Sequence, residues 1–263
     1  MARRVRFSLD PKTPATAPDG VPGVYYGIIE GSTVYETESL FSEQRGGVHA
    51  LDGVRLLPPC RPSKIVCVGR NYREHASELG NPVPTEPLIF LKPVSSLIAH
   101  RDDIVYPPIS QRVDYEGELG VVIGKRVRNA KRDEAEDAIL GYTCVNDVTA
   151  RDLQKKDGQW TRGKGFDTFC PAGPWIVPRD EVRFDELRVR TFVDNEKRQD
   201  ASVRDLIFPL GQIIEFVTEF MTLEPGDLIA TGTPSGVGSL APGSVVRVAI
   251  EGVGALENRI VKP

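Results

Sequence analysis

The chain has 263 residues, of which 40% are hydrophobic and 27% are charged, and its formal net charge is −4. This composition predicts a soluble globular protein, and a mildly acidic chain lacks the basic patch needed to bind nucleic acid or an anionic membrane. No apolar run reaches the ~18 residues of a transmembrane helix. The four cysteines form no Cys-x-x-Cys pair, which predicts free thiols in a reducing cytoplasm rather than a zinc site or disulfides.

The first 59 residues predict a small β-rich N-terminal domain. Val5 and Phe7 alternate with polar residues as in a strand, and residues 24–35 contain two strand-like runs joined by a glycine turn, which predicts a hairpin. The proline-rich segment 58–62 predicts a stiff connector. We therefore divide the chain into domains of residues 1–59 and 60–263.

A short helix is predicted after the buried strand 64–69. Asn71 is placed to cap this helix, with Glu74 as its capping-box partner. His75 and Glu78 are three positions apart, so their side chains can touch on one helix face. A helix of about nine residues is marginal by itself, which is typical of a mobile lid. A surface histidine beside a solvating glutamate is the alternative interpretation of this pair.

The stretch 114–124 predicts a strand that carries two acidic residues. Residues two apart in a strand point to the same face, so Glu116 and Glu118 project side by side. Carboxylates this close repel unless a cation lies between them, and a hard divalent cation favours their oxygens. The pair predicts half of a Mg²⁺-class site. Two exposed acids on a solvated strand face are the alternative.

Further candidate residues follow in the next fifty positions. Asp147 lies at the end of a predicted strand, where sites on β scaffolds tend to sit, although aspartate is also common in turns. The polar segment after it contains Arg151, Gln154 and Lys164. Glycines on both sides of Lys164 let the backbone approach a ligand closely.

Three other features predict structure rather than chemistry. Lys92 follows an apolar run and is interpreted as an ordinary strand-end charge, with a phosphate- or carboxylate-binding role as the alternative. Residues 211–222 predict an amphipathic helix whose apolar face, including Phe220, belongs to the core. The loop 231–238 can present backbone N–H groups to an anion, but it lacks the glycine fingerprints of dinucleotide and P-loop sites, which argues against an NAD-dependent enzyme.

These motifs, in this order, resemble those of the fumarylacetoacetate hydrolase family over nearly all of residues 60–263. The stretches that carry the resemblance are Val68–Tyr72 with His75, Ala76 and Glu78, Phe90–Pro93, Asp114–Leu119, Asn146–Asp152, Lys164–Pro171, Glu219–Asp227 and Thr231–Pro234. One position departs from the pattern, since Gly163 stands where relatives usually carry alanine, and we expect no functional consequence.

The resemblance implies a β-rich α+β fold, with a mixed β-sheet roll as the catalytic domain after the small N-terminal domain, and usually a homodimer. It also implies a role for nine residues: Glu116, Glu118 and Asp147 as ligands of Mg²⁺ or Mn²⁺, with Ca²⁺ as a surrogate; Arg151, Gln154 and Thr233 as substrate contacts; and His75, Glu78 and Lys164 as catalytic residues, the first two on a lid that orders over bound ligand.

The implied chemistry starts from a 2-oxo acid, which can chelate the metal through its carboxylate and keto oxygens. Stabilisation of an enolate then supports isomerisation, C–C bond hydrolysis or decarboxylation. We favour an isomerase or hydrolase acting on 2-hydroxydienoic dicarboxylic acids or acylpyruvates in aromatic-compound catabolism. An oxaloacetate decarboxylase or tautomerase is the alternative within the family, and a non-catalytic ligand-binding relative is the alternative from another class.

Overall fold

The structure, a computed structural model, describes residues 2–78 and 82–263, without the side chains of His75, Ala76 and Ser77. Strands dominate these residues. In chain order they are β1 Arg3–Ser8, β2 Val24–Glu30, β3 Thr33–Thr37, β4 Arg45–Ala50, β5 Arg55–Leu57, β6 Ile65–Gly69, β7 Leu88–Lys92, β8 Leu97–Ile98, β9 Asp103–Val105, β10 Val113–Tyr115, β11 Gly117–Ile123, β12 Ile139–Asn146, β13 Thr149–Ala150, β14 Cys170–Pro178, β15 Arg188–Val193, β16 Glu196–Ser202, β17 Leu228–Ala230, β18 Gly238–Ser239, β19 Val245–Ile250 and β20 Gly254–Val261.

The helices of the described ranges are short, apart from one of eleven residues. The α-helices are α1 Arg73–Glu78, α2 Arg132–Ala135, α3 Arg151–Asp157, α4 Thr161–Lys164 and α5 Leu210–Phe220. Single 3₁₀ turns cover Leu51–Gly53, Val94–Ser96, Glu136–Ala138, Arg179–Glu181, Phe184–Glu186 and Val203–Asp205. None of these helices combines the length and the apolar character that crossing a membrane would demand.

Three sheets form the body of the protein, and the prediction of a β-rich α+β fold with mixed sheets is confirmed. The largest has twelve strands in the order β4-β3-β2-β1-β14-β12-β11-β17-β6-β7, with β5 on β1 and β8 on β14. The second is β13-β10-β18, and the third is β16-β15-β19-β20-β9. The pairs β17·β6, β14·β8 and β20·β9 are parallel, whereas the other strand pairs of the described residues, such as β11·β12 and β1·β14, are antiparallel.

The N-terminal strands extend the main sheet. The predicted hairpin is present as β2 and β3, and β1 joins it to the rest of the protein because Arg4 pairs with Ile176 of β14. Val5 and Phe7 are fully buried as their alternation predicts. Arg4 and Arg6 are buried as well. Their guanidinium groups keep hydrogen-bond partners there, since Arg4 donates to the Leu40 carbonyl and Arg6 donates to the Ala15 carbonyl. The domain boundary after residue 59 stays a prediction.

The acidic stretch is two strands rather than one, so the prediction of a single strand is wrong. The chain leaves the three-stranded sheet after β10 and enters the largest sheet with β11, and Glu116 lies between them. The Glu116 N–H donates to Asn146 Oδ1 at 3.0 Å, and its carbonyl accepts from the Asp147 N–H at 2.8 Å. This junction holds the end of β12 beside both glutamates.

The helix predicted over 211–222 is α5. Ile213, Ile214 and Val217 are buried, as the pattern predicts. Phe220 is 55% exposed, so its assignment to the core is wrong. It is the last residue of the helix, and its ring packs edge-on against Phe216 instead, with centroids 5.8 Å apart.

Asn71 does not cap helix α1, which begins at Arg73. Its buried side chain donates to the carbonyls of Phe208 and Thr231, at 3.2 and 2.8 Å, and accepts from the Phe208 N–H at 2.8 Å. Glu74, the expected capping partner, accepts from the Ser235 hydroxyl. The capping prediction is therefore wrong, because distant backbone groups use all the hydrogen-bonding capacity that a cap would need.

Replacement of Asn71 by alanine is expected to lower the free energy of unfolding by about 3 kcal/mol. The change leaves two carbonyls and one N–H group buried without partners, at about 1–3 kcal/mol each before relaxation. Urea denaturation would measure the loss. Gln44→Ala, at an exposed position, is the control and is expected to change stability by less than about 0.5 kcal/mol. Equal stability of the two variants would contradict this role of Asn71.

Candidate active site

Three carboxylates meet at one buried point. Glu116, Glu118 and Asp147 each place an oxygen within 4.8 Å of the oxygens of the other two, and all three residues are at most 4% exposed. Glu116 lies between β10 and β11, Glu118 is in β11, and Asp147 follows β12. The residues predicted as metal ligands are therefore brought together by two adjacent strands, while their role as ligands stays a prediction.

Lys164 joins two members of this carboxylate trio. Its Nζ donates to Glu116 Oε2 at 2.7 Å and to Asp147 Oδ2 at 2.6 Å. Burial by itself would lower the pKa of Lys164, but the charges of Asp147 and Glu116 outweigh burial and raise that pKa above its usual value. The lysine is therefore a permanent cation at the site.

Arg151, at the start of α3, links the trio to a fourth acid. Its Nε donates to Asp114 Oδ2 at 2.9 Å, its second nitrogen bonds Gln154 Oε1 at 2.8 Å, and the third bonds Glu116. Burial lowers the pKa of Arg151, yet the charges of Glu116 and Asp114 prevail and the net shift is upward. Gly163 lets α4 approach α3 here, since a Cβ on it would lie 2.8 Å from Gln154 Cβ.

Lys92 belongs to the site, and its interpretation as an ordinary strand-end charge is wrong. It is 2% exposed, and its Nζ donates to Asp147 Oδ1 at 2.6 Å and to the Val148 carbonyl at 3.1 Å. One signal was available in the sequence, since Lys92 ends an apolar strand and is followed directly by proline. This pattern does not predict on which side of the sheet the Lys92 amine lies.

Glu118 differs from the other carboxylates of the site in its partners. Asp114, Glu116 and Asp147 form ion pairs with Lys92, Arg112, Arg151 and Lys164. Glu118 forms no ion pair within the described ranges, and it accepts the Gly232 N–H at 2.7 Å. Burial, then the charges of Asp147 and Glu116, raises the pKa of Glu118 well above its usual range. Three clustered hard oxygen donors, one of them without a cationic partner among these residues, fit a divalent cation such as Mg²⁺ or Mn²⁺.

The remaining predicted residues lie at different depths. Thr233 is buried, and its hydroxyl donates to the Gly117 carbonyl at 2.9 Å and accepts from Gln199 Nε2 at 2.8 Å. Glu78 is exposed, and its carboxylate accepts the Gly236 N–H at 3.1 Å. The predicted contact between His75 and Glu78 cannot be placed, because the side chain of His75 lies outside the described residues.

A cavity of about 400 Å³ collects these groups. Eight of the nine predicted site residues line it, and the side chain of the ninth, His75, lies outside the described residues. The sequence analysis missed the residues on its other side, which are mainly Arg70, Phe90, Lys155 and Trp160. Arg70 follows β6, Phe90 is in β7, Lys155 is in α3 and Trp160 lies between α3 and α4, and no local pattern in the sequence connects these segments.

Comparison with known proteins identifies the family. The family described as fumarylacetoacetate (FAA) hydrolase C-terminal matches residues 64–261. The chain belongs to the fumarylacetoacetate hydrolase family. The resemblance inferred from the motifs is thereby confirmed, and proteins of this family are named as isomerases, hydrolases and tautomerases.

Similar proteins cover most of the chain. Oxaloacetate tautomerase YisK of Bacillus subtilis is 42% identical over 226 residues, which are 81% of this chain and 75% of that protein. The crystal structure of 2-hydroxyhepta-2,4-diene-1,7-dioate isomerase from Mycobacterium marinum is 42% identical, with a TM-score of 0.86 over 100% of this chain and 99% of that one. Fumarylpyruvate hydrolase from Pseudomonas aeruginosa, solved with Mn²⁺ and pyruvate, is 33% identical, with a TM-score of 0.73 over 84% and 93% of the two chains.

Replacement of Lys92 by methionine is expected to lower the free energy of unfolding by about 3 kcal/mol. The change removes one cation from a buried ion pair and leaves Asp147 with a lone pair unsatisfied. Chemical denaturation would measure the loss. Lys155→Met, at an exposed position of α3, is the matched control and should change stability by about 0.5 kcal/mol or less. Wild-type stability of the Lys92 variant would show that the buried pair contributes nothing.

Proposed function

We propose that the chain is a divalent-metal-dependent enzyme that acts on 2-oxo or 2-hydroxydienoic dicarboxylic acids or on acylpyruvates, by isomerisation or by hydrolysis of a C–C bond. The observation that carries the proposal is the buried carboxylate trio, whose oxygens lie within 4.8 Å of one another in a cavity that two buried cations also line. Family members named as isomerase and hydrolase support the reaction class.

In this proposal Glu116, Glu118 and Asp147 hold the ion. When bound, the ion supplies a Lewis acid that favours the negative charge of an enolate and binds the oxygens of a 2-oxo acid. Mg²⁺ and Mn²⁺ both suit an all-oxygen site, and Ca²⁺ would serve as a surrogate.

The chain's own residues orient the substrate and move protons. Lys164, which bonds Glu116 and Asp147, adds a second positive group beside the developing charge. Arg151 and Gln154 contact each other and face the cavity, where they bind the substrate's carboxylate or carbonyl oxygen. The family resemblance assigns proton transfer to His75 and Glu78, and Glu78 lines the cavity mouth.

Oxaloacetate is the second candidate substrate, because an oxaloacetate tautomerase is 42% identical over 226 residues. A tautomerase or decarboxylase would use the same cation-rich site, since both reactions pass through an enolate. Three further expectations rest on the resemblance and the composition: a role in aromatic-compound catabolism, a cytoplasmic location and a homodimeric assembly.

Replacement of Glu118 by glutamine is expected to lower Mn²⁺ affinity by at least about tenfold and turnover by about a hundredfold, because one ligand charge is lost. The variant should fold, since it removes a buried carboxylate that its neighbours disfavour in the charged form. Calorimetric titration with Mn²⁺ and a turnover assay would measure both effects. Glu219→Gln, on the exposed face of α5, is the matched control and should behave as the wild type. Unchanged affinity in the Glu118 variant would refute the ligand assignment.

A substrate screen would test the reaction class. Acylpyruvates, oxaloacetate and 2-hydroxydienoic dicarboxylates are followed by ultraviolet absorbance with Mg²⁺, with Mn²⁺ and with excess EDTA. We expect turnover of at least one dicarboxylate, and its loss of a hundredfold or more with EDTA. Activity that survives EDTA would contradict metal dependence. Substrate binding without turnover of any compound would instead favour the non-catalytic alternative.

A further inference from the structure

One side of the cavity is an aromatic wall made of Phe90 and Trp160. Their ring centroids are 5.1 Å apart in an edge-to-face arrangement. Lys164 Nζ, which bonds the carboxylate trio, lies 5.0 Å from the centroid of Phe90. Phe90 therefore lies beside the charged centre, and Trp160 extends the apolar lining of the cavity from it.

Arg70 lies where this wall ends. Its guanidinium carbon is 5.9 Å from the centroid of Trp160, and Arg70 lines the cavity together with both rings. Trp160 packs directly on Gly69, the residue before Arg70, since a Cβ on Gly69 would lie 2.7 Å from Cζ3 of the Trp160 ring. Arg70 has φ of 56°, in the left-handed region that costs a non-glycine residue energy and that is found at functional sites more often than elsewhere.

The cations that line the cavity differ in their ion-pair partners. Arg151 and Lys164 each bond two carboxylates of the protein. In the described part of the chain, by contrast, no carboxylate forms an ion pair with Arg70, and the Arg70 guanidinium lies over the face of the Trp160 ring. A guanidinium held over an aromatic ring, with its donors unused by the protein, is suited to a planar bidentate contact with a ligand carboxylate.

We propose that Arg70 binds the distal carboxylate of a dicarboxylic substrate, and that it makes the enzyme selective for 2-oxo acids with a second acidic end. The inference rests on the proposed function, which places the 2-oxo end at the carboxylate trio. The unsaturated middle of the substrate then lies along Phe90 and Trp160, where flat carbon chains pack well. Lys155 is the competing cation at the cavity, but it is exposed and has no ring beneath it.

Binding of a matched pair of acids to the Mn²⁺-loaded protein tests this inference without requiring turnover. 2-Oxoheptanedioate and 2-oxoheptanoate have the same chain length and differ in the distal carboxylate. We expect calorimetry to show that wild-type protein binds the diacid about 10- to 100-fold more tightly, the range of one charge-assisted contact. Arg70→Gln should remove this preference and leave the monoacid affinity within about twofold.

Two more variants complete the experiment. Arg70→Asn repeats the test with a residue that tolerates the left-handed region, in case the glutamine variant folds poorly. Lys155→Gln is the matched control and should keep the diacid preference. Loss of both affinities in both Arg70 variants would overturn the inference, as would loss of the preference in the Lys155 variant alone.

The failure of the inference can be told apart from the failure of the proposed function. If wild-type protein binds both acids equally and only in the presence of Mn²⁺, a 2-oxo acid site exists and the role of Arg70 is refuted. If Mn²⁺-loaded protein binds neither acid, the 2-oxo acid function itself is refuted, and the inference falls with it.

Discussion

The ion pairs that the buried Lys164 makes with Glu116 and Asp147 are the interaction on which the site depends. These residues come from the β10–β11 junction, the end of β12 and helix α4, so one amine ties three segments together. A buried charge without a partner is strongly destabilising. The fold must therefore bring both members of each buried ion pair into contact. Lys92 and Arg151 extend the same constraint to β7 and α3. The strands around the site are in this sense arranged by charge pairing as well as by apolar packing.

Charge pairing at this site is uneven. Glu118 lies against two other carboxylates while Lys164 is shared between those two, so burial and the neighbouring charges disfavour the ionised form of Glu118. A structural network would be more stable if that carboxylate were replaced by a neutral group, since burial disfavours its charged form. A carboxylate at this position therefore does not stabilise the fold by itself, which agrees with the proposed role of Glu118 as a ligand of a divalent ion.

The cavity has two functional parts with different physical origins. The charged centre is built from the largest sheet and from α3 and α4, where burial makes each ion pair strong. The aromatic wall and Arg70 come from β7, the α3–α4 connection and the end of β6, which lie closer to solvent. In the proposed function, the centre would contact the reacting atoms and determine which reaction occurs. The outer part would contact atoms that do not react and determine which substrates bind.

The sequence by itself determined the chemical content of the site and the local elements around it. The Glu116–Glu118 spacing, the strand end at Asp147, the hairpins and helix α5 follow from short-range periodicity and turn residues, and the order of motifs identified the family. Only the tertiary structure decided that Lys92 bonds Asp147, that Arg70 lines the cavity, and that Asn71 bonds groups 137 and 160 positions away rather than its own helix. The reason is physical. Periodicity reports which residues share a face, whereas the partner of a buried polar group is chosen by whichever distant donors and acceptors the packed sheets bring within reach.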